Sequence, residues 1–308
     1  MEKIKTIVQT VLKGIGQIML QDSAWTGLLF LIAIAHDSIL MGVAALASVI
    51  IGTATARICK FDDANIKAGL YGFNATLIGV GLIFIFESSL FIWICIIVGS
   101  IVSTLLMEFS IRKKIPFFTF PFIVVTVIAI LAIDYLSLAG HNKIEAVEEM
   151  LELQDFVVPA HAYGEVIFKG TIVAGALFFL GVFIKNPTAA LYGFIAAIIA
   201  GAIAHFTEDS ADLINDGMFS FNAVLCGIAC SGLKPRDGLY VLLSVVIATY
   251  FDIFMMHHGW ITLTFPFVLS MWVIVPLKKL LGNYEEKKRN NNRNFLITNH
   301  ETESTNKE

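Results

Sequence analysis

The chain has 308 residues, of which 57% are apolar and 15% charged, where soluble domains sit near about 45–50% and about 25%. That balance excludes an ordinary soluble domain and predicts an integral membrane protein. A formal net charge of −4 provides no basic field for a nucleic-acid partner.

In chain order, apolar runs are predicted at 24–36, 38–56, 68–85, 88–109 and 117–138. A polar stretch follows at 139–160, whose acidic segment IEAVEEMLELQ reads as a short amphipathic helix with a solvated face. Apolar runs resume at 166–184, 187–204, 217–233, 238–256 and 259–280. A spanning helix needs about 20 residues, so several runs are short, and bends or tilts are expected. The tail 283–308, with NNNRN and ETESTNKE, is polar and reads as disordered. Met1–Thr10 lacks a compact apolar run before a small-residue cleavage site, so no cleaved leader is expected.

Charge alternates along the connections. Basic groups stand at Lys3, Lys5 and Lys13, at Arg57, Lys60 and Lys67, at Arg112, Lys113 and Lys114, then at Lys185, Lys234, Arg236, Lys278 and Lys279. The intervening connections, around Asp37, Glu87, Glu145 to Asp155, Glu208 to Asp216 and His257 to Gly259, are acidic or neutral. Ten spans of a multi-pass protein of the cell membrane, with both termini cytoplasmic, place nearly all the basic groups inside. Lys143 and Lys169 are the exceptions.

The chain also repeats itself. GLYGFNATLIG at 69–79 returns as GMFSFNAVLCG at 217–227, an offset of 148 from Phe73 to Phe221 (221 − 73). The same offset pairs Asn74 with Asn222, Leu77 with Leu225, Gly16 with Gly164 and Gly27 with Gly175. TFPF occurs at 119–122 and 264–267, at an offset of 145 (266 − 121). Five spans per half is an odd number, so the second half enters the membrane upside down, as in transporters built from inverted repeats. The predicted fold is all-α: two inverted five-helix repeats, ten transmembrane helices, two half-span re-entrant helices and a central pore per protomer. Its parts are a first half at 1–138, an extracytoplasmic linker at 139–160, a second half at 161–282 and a cytoplasmic tail at 283–308.

The half-span elements are assigned to GQIML at 16–20 and GEVIF at 164–168. They set Gln17 opposite Glu165, and a membrane-embedded carboxylate is a functional residue by default. Phe73 and Phe221 recur beside small residues and read as pore-lining. Asn74 and Asn222 read as side chains that satisfy backbone groups at helix breaks. Pro121 and Pro266 fall inside predicted spans, where proline frees a carbonyl one turn earlier. Thr126, five residues after Pro121, adds a hydroxyl, while Met271 stands at the matching place after Pro266. Cys59, Cys95, Cys226 and Cys230 read as packing residues, with no metal site and no cofactor expected. His257 and His258 read as an outer turn. Asp134 and Asp252 lack a repeat mate and carry no assigned role. No nucleotide-hydrolysis or nucleophile motif points to a pump, protease or other enzyme.

The two FNA phrases, the GQ and GE phrases and the two TFPF phrases together resemble the urea transporter family over about residues 10–280. The resemblance implies a homotrimer of channel-like units that pass urea, each with its own path between inverted halves. It also implies an inner constriction at Gln17 and Phe73 and an outer one at Glu165, Phe168 and Phe221. Val166 would wall the outer slot, and Leu77, Leu225 and Thr126 the middle. Two positions depart from the family pattern: Leu20 stands where a phenylalanine is usual, and Met271 where a threonine is usual. Urea is flat and rich in N–H donors, so a slot between aromatic faces edged by acceptors suits it. Rival readings are a proton-coupled transporter of a small amide using Glu165, and a pore for ammonia or another small amide.

Overall fold

The structure is a computed structural model that describes residues 2–142, 154–168, 171–207 and 211–281. Most of the expected amphipathic segment, Lys143, Lys169 and the tail 283–308 lie outside the described residues. The first half runs α1 (Glu2–Gly16), a 3-10 turn (Gln17–Met19), α2 (Ala24–Asp37), α3 (Ile39–Ile58), α4 (Asp63–Lys67), α5 (Phe73–Ile85), α6 (Leu90–Lys113) and α7 (Phe120–Leu136). The second runs α8 (Gln154–Glu165), α9 (Ile172–Lys185), α10 (Pro187–Phe206), α11 (Ala211–Asn215), α12 (Phe221–Cys230), α13 (Pro235–His257) and a last helix, α14, at 265–281. α8 begins inside the stretch read as linker.

Four helices, α3, α6, α10 and α13, are long and apolar enough to cross a membrane. The pair α1 and α2 qualifies as a fifth if counted as one element bent by 74°. The other apolar helices are shorter, and α12 has only 10 residues. Residues 68–72 and 217–220, read from sequence as parts of spans, form tight turns instead. Gly69 and Gly217 hold φ of 82° and 76° there, a left-handed turn that glycine enters without steric cost.

The repeat extends from motifs to elements. α2, α3, α4 and α5 start 148 residues before α9, α10, α11 and α12. The offset falls to 145 because α12 has 10 residues where α5 has 13. Helix starts are capped at matched places: the side chains of Ser23 and Thr171 accept from Thr26 N and Ala174 N, and those of Ser38 and Asn186 from Met41 N and Ala189 N. Such caps contribute about 1 kcal/mol each.

Two pairs of equivalent residues also touch each other across the halves. Phe30 of α2 stacks on Phe178 of α9, with centroids 4.0 Å apart and planes 5° from parallel. The Thr264 hydroxyl donates to the Thr119 hydroxyl at 2.7 Å. The Phe pair is fully buried in the core. Close packing at the bends depends on missing side chains: a Cβ on Gly27 would stand 1.7 Å from Leu12 O, and one on its mate Gly175 the same distance from Ala160 O.

Candidate functional site

The prolines of the two TFPF phrases do not sit within helices. Pro121 is the second residue of α7 and Pro266 the second of α14. There proline removes an N–H that has no helical partner anyway, so it starts a helix rather than kinking one. The expectation of carbonyls freed inside a span is therefore corrected. The carbonyls ahead of Pro121 already accept bonds: Pro116 O from Trp272 Nε1 at 2.9 Å, Phe117 O from Phe120 N at 2.8 Å and Phe118 O from Asn74 Nδ2 at 3.2 Å.

The helix starts are pinned identically in both halves. Asn74 donates to Phe118 O at 3.2 Å and accepts from Phe122 N at 3.1 Å. Asn222 donates to Leu263 O at 3.2 Å and accepts from Phe267 N at 3.2 Å. Phe118 and Leu263 both take positive φ, 51° and 44°. A bulky residue pays strain in that region, and each Asn holds the strained turn against the first turn of the next helix.

Each pinned turn borders a cavity. One, of about 390 Å³, is lined by Gln17, Leu20, Phe73, Met107, Lys114 and Phe118, among others. The other, of about 400 Å³, is lined by Glu165, Val166, Phe168, Phe221, Gly259 and Leu263, among others. Most of these linings are repeat mates: Gln17 with Glu165, Leu20 with Phe168, Phe73 with Phe221, Phe118 with Leu263. The Gln17 amide nitrogen donates to Ala68 O at 2.9 Å, which leaves the amide oxygen as the uncommitted end. Glu165 is half-buried at the end of α8.

Leu20 and Phe168 both adopt left-handed φ, 60° and 64°, just past the ends of their short elements. Phe168 lies 5.4 Å from the Phe84 ring and 6.3 Å from Phe122. Gly81 makes room for it, since a Cβ there would stand 3.2 Å from the Phe168 ring. The mate of Gly81 is Ala229, which shares a groove of about 380 Å³ with Leu20. Leucine thus stands where alanine fills the space, and phenylalanine where glycine does.

Leu77, Leu225, Thr126 and Met271 line neither cavity and are at most 1% exposed. A water-sized probe barely touches them. The buried Thr126 hydroxyl has no hydrogen-bond partner. The Met271 sulfur lies 3.9 Å from the Cys230 thiol.

Sequence reasoning missed Phe84, Phe122 and Leu263 in the outer lining. Phe122 carried a signal, being the last residue of the first TFPF phrase, while a leucine with positive φ has none. It also passed over Asp252, which is fully buried and accepts from Asn222 Nδ2 at 2.9 Å. His257 and His258 close α13 at the surface, and no cluster of three metal-ligating side chains occurs among the described residues.

Known proteins share this sequence pattern. The proteins named urea transporter 1 of Rattus norvegicus and Mus musculus are each 24% identical to the chain, over 283 and 281 residues, covering 80% of the chain and 70% of the relative. The protein of that name from Ovis aries is 24% identical over 294 residues, covering 85% and 75%. The urea transporter family profile matches residues 8–279, and with them both cavities and both pinned turns; the chain belongs to the urea transporter family.

Proposed function

We propose that the protein passes urea passively across the cell membrane through a channel-like path between two inverted halves. The observation that carries this reading is the pair of cavities of nearly equal volume, lined by repeat mates, with a hydrogen-bonding side chain in each. In this reading ten apolar segments cross the membrane, the shorter helices together with the turns that flank them, α1 and α8 enter as half-span elements, and both termini face the cytoplasm. Three copies assemble, each with its own path. The relatives' names supply urea as the solute.

The mechanism follows from the chemistry of urea. Its N–H groups lose water on leaving the bulk, at a cost of about 1–3 kcal/mol for each left unpaired. The Gln17 amide oxygen meets them in the inner cavity and the Glu165 carboxylate in the outer one. Phe73, Phe168 and Phe221 present flat faces to the flat solute, and Val166 narrows the outer slot. Between the cavities Leu77 and Leu225 form apolar walls, and the Thr126 hydroxyl offers the one polar contact opposite Met271. Side chains there move aside as urea passes, and an ion stays out because nothing in this stretch replaces its hydration shell.

Stopped-flow urea flux into proteoliposomes tests the reading. Flux that rises nearly linearly with the urea gradient and is unchanged by an imposed pH gradient is expected. Uphill accumulation driven by protons would instead establish coupled transport through Glu165, and rapid ammonia flux without urea flux would establish an ammonia pore.

A further inference from the structure

The second half contains a buried polar site that the first half lacks. Asp252 is 0% exposed, and only one of its oxygens is bonded: Oδ2 accepts from Asn222 Nδ2 at 2.9 Å, while Oδ1 has no partner. Thr249 stands three residues earlier in α13, hence on the same helical face. It is also 0% exposed, and its hydroxyl also has no partner. No ion pair reaches Asp252 among the described residues.

The repeat explains why both atoms are orphaned. The mate of Thr249 is Thr104 (249 − 145), whose hydroxyl bonds Ser100 O at 2.9 Å and Tyr71 O at 3.3 Å. The mate of Asp252 is Met107 (252 − 145), whose sulfur lies 3.9 Å from Asn74 Nδ2. In the first half a thioether backs the pinning asparagine and the threonine is satisfied by backbone. In the second half a carboxyl group backs it, and two polar atoms on one face are left bare. Bare buried polar atoms cost about 1–3 kcal/mol each. Unpartnered buried polar atoms on one helical face are what an internal water binds, since such waters make about three bonds to otherwise unsatisfied groups. An unpaired carboxylate in an apolar interior is costlier still, and the group escapes that cost by holding its proton.

We propose that Asp252 is held as the neutral acid and shares one internal water with Thr249, and that this unit positions Asn222 and thereby the outer turn at Leu263. Asp252 is a positioning residue: it touches the asparagine, and the asparagine holds Leu263 and Phe267 beside the outer cavity. The water is confined to the outer half, so it stiffens one mouth of the path and not the other. The proposal rests on the urea-transport reading for its effect on flux, but not for the state of the acid.

Two measurements on the full-length protein test it. Infrared difference spectra in H2O and D2O, wild type against Asp252→Asn, should contain the carbonyl band of a protonated, buried acid, and Thr249→Val should shift that band. A spectrum with only carboxylate bands assigned to Asp252, or a band indifferent to Thr249→Val, overturns the proposal. In the flux assay Asp252→Asn, which keeps a neutral acceptor and donor, should retain wild-type urea flux and selectivity. Asp252→Met, which places at this position the residue its mate carries in the first half, should lower the urea to methylurea permeability ratio about fivefold, the factor of one net hydrogen bond. Equal loss in both variants, with size-exclusion profiles unchanged, would mean that a charged Asp252 is needed and would overturn it, as would wild-type selectivity in Asp252→Met. Absence of urea flux in the wild type would overturn the transport reading and leave the infrared result standing.

Discussion

At the residue scale, the two mouths differ by a few side chains at matched places. Gln17 offers one amide oxygen, and Glu165 offers a carboxyl group. Glu165→Leu removes the acceptor of the outer cavity and should cut urea flux roughly tenfold or more, as expected for one unpaired N–H. Glu165→Gln keeps an acceptor and should stay within about threefold of wild type by the same measure; stopped-flow light scattering reads both. Leu20 and Phe168 differ for a packing reason. The Phe168 ring lies against Gly81, while Leu20 shares its groove with Ala229. Leu20→Phe combined with Ala229→Gly should therefore tighten exclusion of methylurea, measured as a permeability ratio, and Leu20→Phe alone should do so less. Much of the cavity lining was legible, because the FNA, GQ and GE phrases fall at matched places in both halves. Asp252 was not. Its mate is a methionine, and the offset at that point is 145 rather than the 148 that aligned the phrases upstream. The left-handed turns at Leu20, Phe118 and Leu263 were not legible either, since nothing in an apolar side chain announces positive φ.

At the element scale, several helices are shorter than the apolar runs that announced them. The apolar runs correctly located ten helices, but they extended through 68–72 and 217–220, where turns interrupt them. Composition records which residues avoid water and not where the chain reverses. Gly69 and Gly217 were the available signals for those reversals. The prolines at 121 and 266 misled for a related reason: proline fits the first turn of a helix as well as a kink, and only the helix start separates the two. The bends themselves depend on glycine at 27 and 175, where a Cβ would meet a backbone carbonyl at 1.7 Å. Overpacking typically costs about 1–3 kcal/mol, and a carbonyl cannot rotate aside as a side chain can. Gly27→Ala and Gly175→Ala should each lower the detergent-solubilised protein's thermal midpoint by a similar amount, read by fluorescence-detected size exclusion, because the halves pack alike at this corner.

At the scale of the whole molecule, two pairs of equivalent residues, Phe30 with Phe178 and Thr119 with Thr264, meet where the halves pack together. An inverted arrangement in the bilayer makes a testable statement about sidedness. Cys59 is the one exposed cysteine of the four, and it follows Arg57 in a connection rich in basic groups. A membrane-impermeant maleimide should label it in inside-out vesicles and not in right-side-out vesicles or intact cells. Labelling from the outer face would reverse the topology. Sequence alone supported this orientation through the distribution of lysine and arginine, a property of connections that survives errors in helix boundaries.

The proposed path past Leu77 and Leu225, which with Thr126 and Met271 are at most 1% exposed, has a consequence for the cell's energetics. Protons cross membranes quickly along unbroken chains of hydrogen-bonded water, and a dry apolar gap breaks such a chain. A protein that admits a neutral metabolite through this gap can stay permanently available without short-circuiting the proton-motive force. Under the proposed function, flow would follow supply and consumption on the two sides.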